Sequence, residues 1–142
     1  MTTLDTNPVQ TSKGWTIGLW VAQALLAAMF LMAGVTKLMS GSAELVAMGM
    51  GWAENAPFFL IKFIGLAEVA GGLGVILPAA TRIMPHLTKW AAAGLCVIMV
   101  LAAGVHIVRG EFEVVPVNVI LFALAAFVIW GRTNKAPIAP RA

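Results

Sequence analysis

Among the polar side chains in the long apolar runs of this 142-residue chain, four could do chemistry together: Lys37, Glu68, His106 and Asn118. Each is a residue type that can hold a proton, a charge or a hydrogen bond, and each falls in a different run. Glu68 is the most informative. It sits about eleven residues into its run, roughly 16 Å deep at 1.5 Å per helical residue. A bare carboxylate at that depth is costly, so it must be protonated or paired inside a bundle. Two readings follow, a carboxyl that carries a proton or binds a ligand, and a carboxyl satisfied by a partner that joins helices. Gly65 and Gly72 share its helical face and permit close approach of a neighbour.

Lys37 closes the first run, and its face continues through Gly34, Ala33, Phe30 and Gln23. Helical side chains lean toward the N-terminus, so Lys37 either reaches inward toward Glu68 or bends back to the surface. His106 lies near the end of the third run, where an interfacial role is the plainer alternative. Asn118 lies one turn inside the fourth. All four belong to one half of the bundle, and a bundle interior is where such groups meet. The expectation is that Lys37, Glu68, His106 and Asn118 border one cavity opening toward the outer face.

The elements that must position these residues follow from composition. Hydrophobic residues make up 61% of the chain and charged residues 11%, against about 25% charged in an average soluble domain. Mean hydropathy is +0.94. A small water-facing domain buries only about two-thirds of its surface, too little to hide this excess, so lipid is the solvent. Spans are expected at about 14–39, 57–78, 89–108 and 115–131, each long enough for a core of about 30 Å. Pro57 and Pro116 suit first helical turns, while Pro78 and Gly131 read as stops. The fold class is therefore all-α, a four-transmembrane-helix bundle forming one domain over 1–142. Between the first two spans, Ser40 to Ala56 is too short and polar to cross. It reads as an interfacial or re-entrant segment over one mouth of the bundle, or as a loop with some amphipathic helix. Residues 132–142 read as a mobile basic tail.

Orientation follows from the basic residues. With four spans, both termini and the middle loop share a side, which holds Lys13, Arg82, Lys89, Arg132, Lys135 and Arg141. The other side holds Lys62 and Arg109, with Lys37 at a helix end. The imbalance places both termini in the cytoplasm, and Trp15, Trp90 and Trp130 form an interfacial belt on that side. The polar first twelve residues lack the basic start of a signal peptide, so the first run is expected to stay as a span. An inner (plasma) membrane is the expected location.

Other chemistry has weaker support. One cysteine, Cys96, excludes an intrachain disulfide, and tyrosine is absent. Met39, Met48 and Met50 with His106 offer soft donors for Cu(I), but methionine in so apolar a chain serves packing, and no metal is expected. Neither a Walker-type loop nor a GxGxxG after a strand occurs. The few basic residues lie mostly between apolar runs, without a basic stripe, so no nucleic-acid partner is expected.

The stretches FLMAGVTKL (30–38), GLAEVAGGLGVILP (65–78), LAAGVHIVRGE (101–111) and NVILFALAAFVIWGR (118–132) together resemble the DoxX-like family of small four-helix membrane proteins. The resemblance touches all four helices. It implies family roles for Lys37 at the end of helix one, Glu68 in helix two, His106 near the end of helix three and Asn118 opening helix four. Some relatives are associated with membrane redox systems, including thiosulfate:quinone oxidoreductase, and others resemble a receptor-assembly chaperone. The chain has no cysteine pair and no haem or flavin motif, so it does not read as an independent redox enzyme, and no catalytic residue is assigned. The first functional reading is an integral membrane accessory protein that binds a partner complex or a lipophilic ligand through the polar pocket. The alternatives are a quinone-associated subunit of a membrane oxidoreductase and a proton-coupled transporter of a small hydrophobic compound. The partners implied are the lipid bilayer and either a membrane protein or a second copy of the chain. No cofactor is visible in the sequence, and quinone belongs to the alternative reading.

Overall fold

The computed structural model describes residues 11–142 and is helical throughout its ordered elements. Up to residue 10, the polar N-terminal stretch lies outside the described residues. Helix α1 (Lys13–Met39) is followed by the short α2 (Ser42–Ala47) and a single 3-10 turn (Gly51–Glu54). Helices α3 (Phe58–Thr81), α4 (Leu87–Arg109) and α5 (Val115–Asn134) complete the chain. The four long helices have the length and composition of membrane spans.

These helices form a ring. α1 packs against α3 and α5, and α4 closes the ring against the same two. Short connections make neighbours antiparallel. Leu26, Phe30, Val75, Leu95, Met99, Ala125 and Val128 fill the centre. Outward residues such as Val21, Leu25, Met32, Leu66, Leu101 and Ile120 are exposed, as expected where the outer face meets acyl chains rather than water. α1 and α3 touch backbone to backbone. A Cβ added at Gly34 would lie 2.7 Å from the Gly65 carbonyl oxygen and 2.9 Å from the Val69 nitrogen. Only a residue without a Cβ fits there.

Two expected stops do not end their helices. Pro78 lies inside α3, which runs on to Thr81 and ends at Arg82 in the left-handed conformation, φ 60°. Proline removes one i→i−4 hydrogen bond, a loss that one further turn outlasts. Gly131 lies inside α5, which continues to Asn134. Its role is steric, since a Cβ there would collide with the Leu19 side chain. The final residues, expected as a basic tail, make specific contacts. Arg141 donates its backbone N–H to the Arg82 carbonyl (2.9 Å), and Arg82 Nε donates to the Ala139 carbonyl (3.0 Å). Ala136 is buried. The C-terminal segment thus folds back over the end of the bundle that carries the termini.

The segment between α1 and α3 builds a small apolar cluster of its own. Leu45, Ala53 and Ile61 are buried, with Val46, Met50, Trp52 and Ala56 packed around them. Glu44 accepts a hydrogen bond from the Gly41 backbone N–H (3.0 Å), tying down the start of α2. The segment reaches across to the α4–α5 connection, where Arg109 Nη2 lies 3.1 Å from the position of a Gly51 Cβ.

Candidate functional site

The α1–α3 contact carries the first part of the site. One turn beyond Gly34, Lys37 Nζ lies 2.8 Å from Glu68 Oε2 and 3.1 Å from Oε1. A third, longer donation runs from the same ammonium to the Ala33 carbonyl (3.5 Å). Lys37 is 7% exposed and Glu68 5%. The inward lean of a helical side chain brings the ammonium down to the carboxylate. Mutual attraction and the added hydrogen bond then offset part of both desolvation costs. The close approach at Gly34 and Gly65 is what makes the reach short.

Lys62 supports this pair in a way its position in the sequence does not announce. Its Nζ donates to the carbonyls of Lys37 (2.8 Å), Leu38 (2.9 Å) and Ser40 (2.7 Å). Those carbonyls end α1 and have few helical partners of their own. A cation there also favours the negative end of the helix dipole. Lys62 also lies over the Phe58 ring at 4.9 Å.

Asn118 is 6% exposed, and its side-chain nitrogen has no hydrogen-bond partner among the described residues. The antiparallel registers give its depth. Across α3 and α4, Gly71 meets Leu95 and Gly74 meets Ala91, so Glu68 lies level with Val97 and Ile98. Across α4 and α5, Cys96 Sγ meets the Phe122 carbonyl, so Asn118 lies level with Met99 and Val100. Asn118 and Glu68 therefore occupy nearly the same depth, on helices that both descend from the same end of the bundle.

His106 belongs to a different cluster. Two turns beyond that level, roughly 12 Å along α4 at 1.5 Å per residue, its Nδ1 lies 2.7 Å from Glu111 Oε2. Arg109 Nε donates to the other carboxylate oxygen, also at 2.7 Å. The hydrogen bond from His106, then that from Arg109, hold the Glu111 carboxyl below the usual carboxylate range. The structure thus brings Lys37 to Glu68, sets Asn118 at their depth, and places His106 apart from them, with the α4–α5 connection at that end of the bundle.

A second buried polar cluster lies at the opposite end. Arg132 Nε donates to Gln23 Oε1 (2.8 Å), and Arg132 Nη1 donates to the Ala136 carbonyl (3.1 Å). The Gln23 amide nitrogen donates to the Val75 carbonyl, and the guanidinium lies over the Trp20 ring at 5.1 Å. In the sequence this cluster is signalled by Gln23, an amide on the same inward face of α1 that ends in Lys37.

No group of three or more His, Cys, Asp or Glu side chains gathers as a metal site among the described residues. Of the methionines with soft donors, Met50 packs beside Leu45 while Met39 and Met48 are exposed.

Four apolar spans, with an ion pair buried between the first two, define a small integral membrane protein. The chain belongs to the DoxX-like family, whose model matches residues 21–128. That match contains Lys37, Glu68, His106 and Asn118. No curated protein and no solved structure matches the chain.

Proposed function

We propose that the protein is an integral membrane accessory protein whose interior holds the polar group of a lipophilic ligand. The observation that carries this reading is Asn118. A buried amide donor without a partner costs about 1–3 kcal/mol, and it lies at the depth of the Lys37–Glu68 pair. A ligand oxygen accepting from Asn118 Nδ2 would remove that cost. Lys37 and Glu68 already satisfy one another, so their part is to fix the polar lining and hold α1 against α3. His106 and Glu111 pair at the end of the bundle above this level. The occupant is a largely apolar molecule bearing a carbonyl or similar acceptor, delivered to or shared with a membrane partner.

A quinone is one molecule of that chemistry, and Asn118 as a carbonyl donor favours the quinone-associated reading over transport. In that reading electrons come from a partner and this chain binds and orients the ring.

We further propose that both termini lie in the cytoplasm, with the chain in an inner membrane. The support is the set of basic residues at that end, reinforced by the Trp15–Trp130 contact at 5.3 Å with Lys135 over both rings at 5.5 Å. Reporters fused to either terminus and active only outside the cytoplasm should stay silent; activity at both would reverse the orientation. For the ligand, the test is purification in a mild detergent followed by mass spectrometry of the extracted small molecules. A single acceptor-bearing lipophile at near-stoichiometric amount supports the reading. Recovery of bulk phospholipid alone, in the proportions of the membrane, contradicts it.

A further inference from the structure

The second polar cluster carries an inference independent of the ligand reading. Arg132 is 5% exposed, yet it makes no ion pair among the described residues. Its hydrogen bonds go to two neutral acceptors, Gln23 and the Ala136 carbonyl, and its Nη2 has none. Thr88 is 1% exposed, and its hydroxyl is also without a partner. A buried guanidinium facing only neutral acceptors is expensive.

Both residues line one cavity of about 170 Å³, together with Lys89, His86 and Pro85 on the α4 side and Pro137, Ile138 and Pro140 of the C-terminal segment. That volume is several times the ~30 Å³ share of a water molecule. Arg132 also borders a second cavity of about 360 Å³ that Arg82 helps to line. The described acidic side chains, Glu44, Glu54, Glu68, Glu111 and Glu113, all lie in the half of the bundle away from the termini or in the connections at its far end. The cavity therefore combines cations, a hydroxyl donor and a wall of chain, and no carboxylate side chain among the described residues lines it.

We infer that this cavity binds a phosphate-class oxyanion, supplied either by a lipid headgroup or by a free phosphate. Arg132 Nη2 and Thr88 Oγ1, closed off behind the cavity wall, turn toward it on binding and donate to the oxygens of the anion, Lys89 supplies a second positive charge, and the segment from Ala136 to Pro140 covers it. Arginine suits the role because its planar donors match phosphate oxygens.

The full chain in detergent is titrated with inorganic phosphate while Trp fluorescence and thermal unfolding are followed; Trp20 stacks on the Arg132 guanidinium. In a second arm, native mass spectrometry counts retained phosphatidylglycerol against phosphate-free diacylglycerol. Because R132Q also releases Gln23 and Ala136, the decisive variants are T88V and K89Q, which leave those bonds intact. Each should weaken binding about tenfold, the scale of one hydrogen bond or charge contact to an ion. R132K should retain part of the affinity and R132Q little. Saturation by inorganic phosphate identifies a soluble source, and selective retention of phosphatidylglycerol a lipid source; either supports the site. The inference is overturned if wild-type protein shows neither, or if T88V and K89Q bind as wild type does.

Discussion

Lys37 and Glu68 form a two-contact ion pair between α1 and α3, at 2.8 and 3.1 Å, with both side chains withdrawn from the surface. The pair sits one turn from the Gly34–Gly65 backbone contact, so the steric and electrostatic determinants of the α1–α3 seam coincide.

Breaking that pair from one side leaves a buried charge without its partner, which typically costs about 3–5 kcal/mol. Lys37→Met and Glu68→Leu should each lower the unfolding free energy in detergent by an amount of that order. The double variant should recover much of the loss, because an apolar pair of similar volume needs no desolvation. Additive losses in the double variant, measured by thermal or denaturant unfolding, would show that the two side chains do not depend on one another.

Gly34→Ala places a methyl group against the Gly65 carbonyl and the Val69 side chain, at 2.7 and 2.8 Å. The helices must separate, and overpacking of this kind costs about 1–3 kcal/mol. Gly94→Ala is the control, since a Cβ there meets nothing within 4 Å. The first should destabilise the fold and the second leave it unchanged or slightly more stable. Equal melting of the two variants would refute the close seam.

Glu111 provides a pH-dependent contact outside the spans. Its folded pKa is depressed below the ordinary 4.5, first by the hydrogen bond from His106 and then by that from Arg109. A depressed carboxyl contributes stability above its unfolded pKa and loses it as pH falls through the lower, folded value. The α4–α5 connection should therefore hold through pH 4.5 and loosen only in more acid solution. A carbon-13 NMR titration of the Glu111 carboxyl should report an apparent pKa below 4.5, rising more in His106→Leu than in Arg109→Met. A wild-type value at or above 4.5 would contradict the geometry.

The sequence makes the spans and the Lys37–Glu68 pair legible for the same reason: lipid removes water as an alternative partner. An ionisable residue inside an apolar run then has to find another one, and the lean of Lys37 points to Glu68. Depth alone does not separate Asn118 from His106. Glu111, which captures His106, lies in a connection whose path depends on how α4 ends at Gly110 (φ 73°). The Arg132–Gln23 contact joins the last span to the first, so it is visible only once the ring of helices is closed. Arg132 reads in the sequence as one more basic residue of the flank, whereas α5 continues past Gly131 and carries it inside.

In the proposed function, the polar interior beside Asn118 receives a ligand rather than serving structure alone. The most direct measurement compares wild type with Asn118→Leu for two readouts, the unfolding temperature in mild detergent and the lipophilic molecule retained through purification. The substitution removes a buried donor that has no partner among the described residues, so stability should hold or rise, while the retained molecule should fall at least tenfold. Equal retention in the two proteins, or loss of the molecule only in step with unfolding, would show that Asn118 holds no ligand.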